Sequence, residues 1–337
     1  MNNRILLLVA SLAFLFSCDR GEEINIYSSR HYDTDMELYD NFTEQTGIEI
    51  NLIEGSSDEL IERILNEGVN SPADIVITVD AGRLWRAKEA GVLQTYESDN
   101  LDSVIPDEMR DVDGYWVGLS ERVRGIIYST ERVDPDELQG YRELADEKWN
   151  GRVCIRSSNN IYNQSLVASL IETDGAEETE EWARNLVNNF ARSPQGGDTD
   201  QIKAVAAGLC DVAVANHYYL ARLIVSNQQE DQEVAEKVGI HFPSAEYGGA
   251  HVNISGAGIA ANSPNKENAT RFLEYLATPE AQQLYAVSNN EFSILDDVEL
   301  PAVLESFGDY ESDAVNVTSY GSNNPEAIRL MDRAGWQ

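Results

Sequence analysis

The sequence predicts an α/β protein made of two doubly wound lobes around a hinged cleft. Three observations carry this. Short apolar runs alternate with amphipathic stretches from Ile24 onward, the sequence form of a mostly parallel sheet covered by helices. The alternation breaks at residues 117–128, where strand-like pieces flank a charged Glu-Arg-Val-Arg, and then resumes, as it does when strands cross from one lobe to another. A length of 337 residues with 42% hydrophobic residues suffices for two packed domains.

Taken in order, 24–27 reads as a strand. Residues 33–45 read as a helix with Met36, Leu38, Tyr39 and Phe42 as its apolar stripe, closed by Gly47. Residues 48–53 form a second strand, and Ser57 opens a helix carrying Leu60, Ile61, Ile64 and Leu65. The nearly continuous apolar run 74–79 fits a strand buried on both faces, followed by an Asp80-capped helix that ends at Gly91. Past the crossover, 138–149 reads as a helix, 153–157 as a strand, and 163–171 and 177–190 as helices. Residues 200–208 then lead into a strand ending at Asn216, with a helix from Tyr219. Residues 240–243 and 251–259 are return strands, and 281–287 lies in a late helix.

The N-terminus reads as a targeting segment. Arg4 precedes an apolar stretch over 5–16, broken only by Ser11 and too short to span a bilayer. It ends in Leu15-Phe16-Ser17-Cys18, which resembles the bacterial lipobox and is expected to make 1–17 a lipoprotein-type signal peptide and Cys18 the lipidated mature N-terminus; an ordinary secretory signal cleaved nearby is the alternative. Export to an oxidising compartment lets the other two cysteines, Cys154 and Cys210, form a disulfide between two strand-like segments; two buried free thiols are the alternative. The chain has 24 Lys and Arg against 59 Asp and Glu, which argues against nucleic acid or an anionic membrane surface as a general partner.

Tyrosines mark the junctions where strands end and helices begin: Tyr32 after His31, Tyr162 in Ser-Ser-Asn-Asn-Ile-Tyr-Asn-Gln-Ser, and the pair Tyr218-Tyr219. In open α/β sheets such junctions converge on one crevice. Four phenols and an imidazole gathered there suit a hard, highly charged cation. Ferric iron prefers oxygen donors, and only a potent Lewis acid deprotonates a phenol whose ordinary pKa is near 10. Calcium and magnesium take carboxylates and carbonyls instead. Four phenolates against three positive charges leave one negative charge, which Arg30 and Arg222 flank and can offset; Arg222 shares a helix face with Tyr219. His217 is a reserve ligand behind His31. Tyr27, Tyr39 and Tyr128 read as packing residues.

Ser28-Ser29-Arg30-His31-Tyr32, Arg156 to Ser165, Asp211 to Arg222, and the Gly248-Gly249-Ala250-His251-Val252-Asn253-Ile254-Ser255-Gly256 stretch resemble the ferric-iron-binding extracytoplasmic proteins of bacterial ABC iron importers. The likeness is to the subgroup that binds iron through one His and four Tyr. It implies the type 2 periplasmic binding protein fold, with 18–120 and 246–300 in lobe 1, 121–245 in lobe 2, and 301–337 packing mainly on lobe 2. It implies His31, Tyr32, Tyr162, Tyr218 and Tyr219 as ligands of Fe(III). It also implies a lipid-anchored monomer in the periplasm or on the outer face of the cytoplasmic membrane, serving a permease and its ATPase. His217 departs from the family pattern. The same fold binding a polyamine, phosphate or an organic acid is the alternative. An enzyme is not expected, since the chain has neither Gly-x-Ser-x-Gly nor His-Glu-x-x-His.

Overall fold

The computed structural model describes residues 22–30, 32 and 34–337. The signal segment, Cys18 and His31 lie outside the described residues.

The first part of the chain lays down β1 (Glu23–Ser28), α1 (Asp35–Thr46), β2 (Glu49–Glu54), α2 (Ser57–Glu67), β3 (Ile75–Val79) and α3 (Ala81–Glu89). β1 pairs in parallel with both β2 and β3, so each strand delivers its C-terminal end to the same edge. The capping of α2 falls one residue earlier than expected. Ser56, not Ser57, is the cap, in a reciprocal box with Glu59, while Ser57 turns inward to the Thr78 hydroxyl. Asp80 caps α3 as expected, accepting from the Gly82 N–H at 2.9 Å, and does so at φ +80°, a left-handed conformation uncommon outside glycine.

After β4 (Leu93–Gln94) and α4 (Asp99–Val104), residues 117–128 are not two pieces but one thirteen-residue strand, β5 (Val117–Ser129). Its N-terminal half, to Val123, pairs antiparallel with the later β9 (Val252–Ala260), and from Arg124 onward it pairs with β7 (Val212–Asn216). One strand therefore belongs to two sheets and changes partner between Val123 and Arg124. That is the geometry of a hinge. The strand order is β2-β1-β3-β9-β5-β7-β6, with β4 on β9 and β8 (Val238–His241) on β5.

The expected helix over 138–149 is replaced by short 3-10 turns at Arg142–Ala145 and Glu147–Trp149. Tertiary anchors decide this. The Tyr141 hydroxyl donates to the Arg124 carbonyl at 2.6 Å, and the Glu143 carboxylate holds the Gln139 N–H and the Lys148 ammonium, which pins the segment residue by residue. The strand expected over 153–157 shrinks to β6 (Val153–Cys154), parallel to β7. Cys154 and Cys210 form a disulfide, with Cα atoms 5.8 Å apart, bracing the strand that feeds the site.

The second lobe adds α5 (Ile161–Asp174), α6 (Ala176–Asn188), α7 (Asp198–Ala206), α8 (His217–Val225) and α9 (Gln229–Ala235). The chain then returns through β9 to α10 (Lys266–Leu276) and α11 (Pro279–Asn289) of the first lobe. It finishes with α12 (Ala302–Glu305), α13 (Thr318–Ser322) and α14 (Asn324–Ala334). α14 packs on α5 and α6, while α13 touches both α3 and α5 and so spans the two lobes. Polar contacts also cross between them: the Ser165 hydroxyl of α5 donates to both Asp80 oxygens, at 2.8 and 2.9 Å.

Candidate metal centre

Each tyrosine sits where a strand hands over to a helix. Tyr32 follows β1, and its carbonyl accepts from the Asp35 N–H at 2.9 Å as α1 begins. Tyr162 is in the first turn of α5, its N–H donating to the capping Asn160 side chain at 3.1 Å. Tyr218 and Tyr219 are in the first turn of α8, which starts at His217 directly after β7. Their rings stack with centroids 4.5 Å apart. Tyr218 is fully buried, and its oxygen accepts from the Asn216 amide at 2.9 Å; the other three are half-buried.

What brings the phenols together is Arg122, a buried residue of the hinge strand that sequence reasoning missed as a site residue. Its guanidinium donates to the Tyr162 oxygen at 3.2 Å, to the Tyr218 oxygen, and to the Tyr32 oxygen at 3.5 Å. Tyr32 belongs to the first lobe and the other two to the second, so one cation collects oxygens from both sides of the cleft. Beneath it lies Glu291, fully buried, which accepts from Arg122, from Arg30 at 2.9 Å, and from Ser120 and Ser255. Arg30 also pairs with Asp35 at 2.8 Å and stands 4.7 Å from the Tyr32 ring centre. Arg222 lies over the rings of Tyr32, Tyr218 and Tyr219, at 4.9, 5.0 and 5.8 Å. Both arginines expected at the periphery are thus in contact with the tyrosines.

Two signals differ in legibility. Arg122 lay in the charged Glu-Arg-Val-Arg inside a strand pattern, and charge in a buried strand is a site signal. Glu291 follows α11 with no motif around it; only the fold brings it to Arg30 and Arg122.

The electrostatics separate the phenols. Burial pushes the Tyr32 hydroxyl up, but Arg122, aided by Arg30 and Arg222, outweighs this and lowers its pKa despite the opposing Glu291. Burial holds Tyr218 and Tyr219 well above the ordinary phenol value. Glu291 resists burial because Arg30 and Arg122 flank it, and its pKa falls to about 2. Tyr218 and Tyr219 therefore stay protonated until a stronger cation arrives.

His217 is not available as the reserve ligand. It is completely buried and points away from the phenols: Nδ1 accepts the Val123 N–H at 3.1 Å, and Nε2–H donates to the Asn290 carbonyl at 3.0 Å. Burial lowers its pKa to about 4, so it is a neutral structural imidazole. Among the described residues, no group of three or more His, Cys, Asp and Glu side chains is arranged to hold a metal.

Residues 37–311 match the bacterial extracellular solute-binding protein family. Iron uptake protein A1 of Synechocystis sp. is 50% identical over 316 residues, covering 94% of this chain and 88% of that protein. The Trichodesmium protein IdiA (FutA), solved with iron and citrate, is 56% identical with a TM-score of 0.92, over 94% of this chain and 100% of that one. A ferric binding protein from Campylobacter jejuni is 38% identical with a TM-score of 0.86, over 93% and 100%. The Synechocystis protein is named for iron uptake and the Campylobacter protein for ferric binding. With the two-lobed fold, the shared hinge strand and a match over most of its length, the chain belongs to the bacterial extracellular solute-binding protein family.

Proposed function

We propose that this protein is the ferric-iron receptor of an ABC-type import system, capturing Fe(III) between its lobes and delivering it to a membrane permease driven by an ATPase. The observation that carries this reading is the gathering of Tyr32, Tyr162 and Tyr218 oxygens from opposite lobes on the single guanidinium of Arg122. The relatives named for iron uptake and ferric binding support it. The ligands in this reading are Tyr32, Tyr162, Tyr218 and Tyr219, with His31 as the nitrogen donor.

Charge favours the trivalent ion. Arg30, Arg122 and Arg222 stand against Asp35 and Glu291, leaving one positive charge around the neutral phenols. Four phenolates and Fe(III) add one negative charge, so the filled site is neutral, whereas Fe(II) leaves it negative in a buried setting. Ligands from both lobes let the ion hold the cleft shut, and reduction or phenolate protonation releases it.

In the same reading, lobe 1 comprises 18–120 and 246–300, lobe 2 comprises 121–245, and 301–337 packs mainly on lobe 2. The protein acts as a monomer outside the cytoplasmic membrane, anchored through lipidated Cys18.

The test is ferric salt added to purified protein. A visible phenolate-to-iron charge-transfer band is expected, and Tyr219→Phe, which deletes one hydroxyl, shifts and weakens it. A colourless mixture overturns the assignment, and polyamine binding without colour would replace it.

A further inference from the structure

Successive residues of a strand face opposite ways, and the hinge strand uses this. Arg122 faces the tyrosines; Glu121 faces the back of the hinge. There Glu121 is 8% exposed and its carboxylate accepts a hydrogen bond from the Tyr310 hydroxyl. Its backbone exchanges both hydrogen bonds with Phe292, at 2.8 and 3.2 Å, and pairs with Ile254 of β9. Glu121 thus lies where three segments cross between the lobes. It borders a cavity of about 450 Å³ whose walls also carry Glu108, Asp296, Asp309 and Tyr310; among the described residues no Lys, Arg or His lines it.

A buried carboxylate facing only exposed carboxylates and no cation is costly when ionised, and the single hydrogen bond from Tyr310 offsets only part of that cost. Burial, with Asp296 and Glu108, pushes its pKa up to about 7, against the Tyr310 hydrogen bond. The Tyr310 ring packs on Phe292 at 4.9 Å and Phe242 at 5.6 Å. The segment continuing from Tyr310 pairs with Ala250, at the entry to β9: Ala250 N–H donates to the Glu311 carbonyl at 2.7 Å, and Asp313 N–H to the Ala250 carbonyl at 2.9 Å. The Glu121–Tyr310 contact and the Ala250 pairing therefore tie β5, the entry to β9 and the C-terminal segment together behind the hinge.

We propose that Glu121 and Tyr310 form a proton-operated strap across the back of the hinge, fastened when the Glu121 carboxyl is protonated and released when it ionises. A released strap frees the 308–313 segment and loosens the hinge. The device belongs to the hinge strand and does not depend on which cargo the cleft takes, so it is tested on protein without metal. Hydrogen exchange of the 308–313 amides is measured at pH 5.5 and 8.5, corrected for intrinsic rates. If the opened carboxyl returns to its ordinary pKa of 4.5, protection in the unmodified protein falls by about 30-fold across this range. Glu121→Gln, which keeps an acceptor for Tyr310 but cannot ionise, holds the same protection at both pH values. Equal pH dependence in the two proteins, or none in the unmodified one, overturns the proposal. A ¹³C carboxyl titration of Glu121 gives an independent reading that needs no variant: a midpoint near neutrality supports the strap, and one below 5 sinks it.

Discussion

Glu291→Gln isolates the charge that holds the floor of the site. Glu291 is completely buried, and its carboxylate is shared by Arg30 and Arg122. The arginines outweigh burial and lower its pKa from the ordinary 4.5 to about 2. At about 1.4 kcal/mol per pKa unit, that differential is on the order of 3 kcal/mol, within the range for removing one partner of a buried ion pair. The sign follows from proton counting. Between pH 4.5 and 2 the folded protein binds fewer protons here than the unfolded chain, so stability rises with pH over that window. The contribution is fully present above 4.5 and is lost as pH falls through about 2. The variant is therefore expected to lose about 3 kcal/mol at pH 7 and only about 1 kcal/mol at pH 3. Urea unfolding at the two pH values measures both. The loss is not passed to a neighbour: Arg30 keeps Asp35, but the guanidinium of Arg122 keeps only hydroxyl acceptors. A gap of equal size at pH 3 and pH 7 would refute the reasoning, because it would mean that shape and hydrogen bonding, not charge, set the value of Glu291.

Two further outcomes follow from the same region. Replacing both Cys154 and Cys210 by alanine opens a bridge between residues 56 apart, and the loop-entropy relation puts the loss at about 4 kcal/mol, read as a lower urea midpoint that added reductant reproduces in the unmodified protein. His217→Leu leaves the Val123 N–H and the Asn290 carbonyl without their buried partner and should cost roughly 1–3 kcal/mol; the iron charge-transfer band should keep its wavelength, and a large shift would return His217 to the ligand set.

Local sequence determined where the tyrosines stand. Strand and helix periods leave Tyr32, Tyr162, Tyr218 and Tyr219 at strand-to-helix junctions, and parallel β1, β2 and β3 must deliver such junctions to one edge. The Asp80 cap and the apolar run of β3 were legible for the same reason, since capping and double burial are local demands on residue type. Where the expectation failed, longer-range anchors had overridden propensity. The 138–149 stretch has a helix's composition, but Tyr141 bonds to the hinge strand and the segment breaks into 3-10 turns.

Only the tertiary structure decided what the tyrosines face. Arg122 and Glu291 are separated by 169 positions and meet because β5 and the segment after α11 cross at the hinge. His217 sits next to a tyrosine in sequence, yet its ring is turned to backbone partners from two distant segments. Residue type and spacing fix which chemical groups can reach a crevice. Which of them are buried, paired or charged there depends on partners far along the chain, and only packing supplies those.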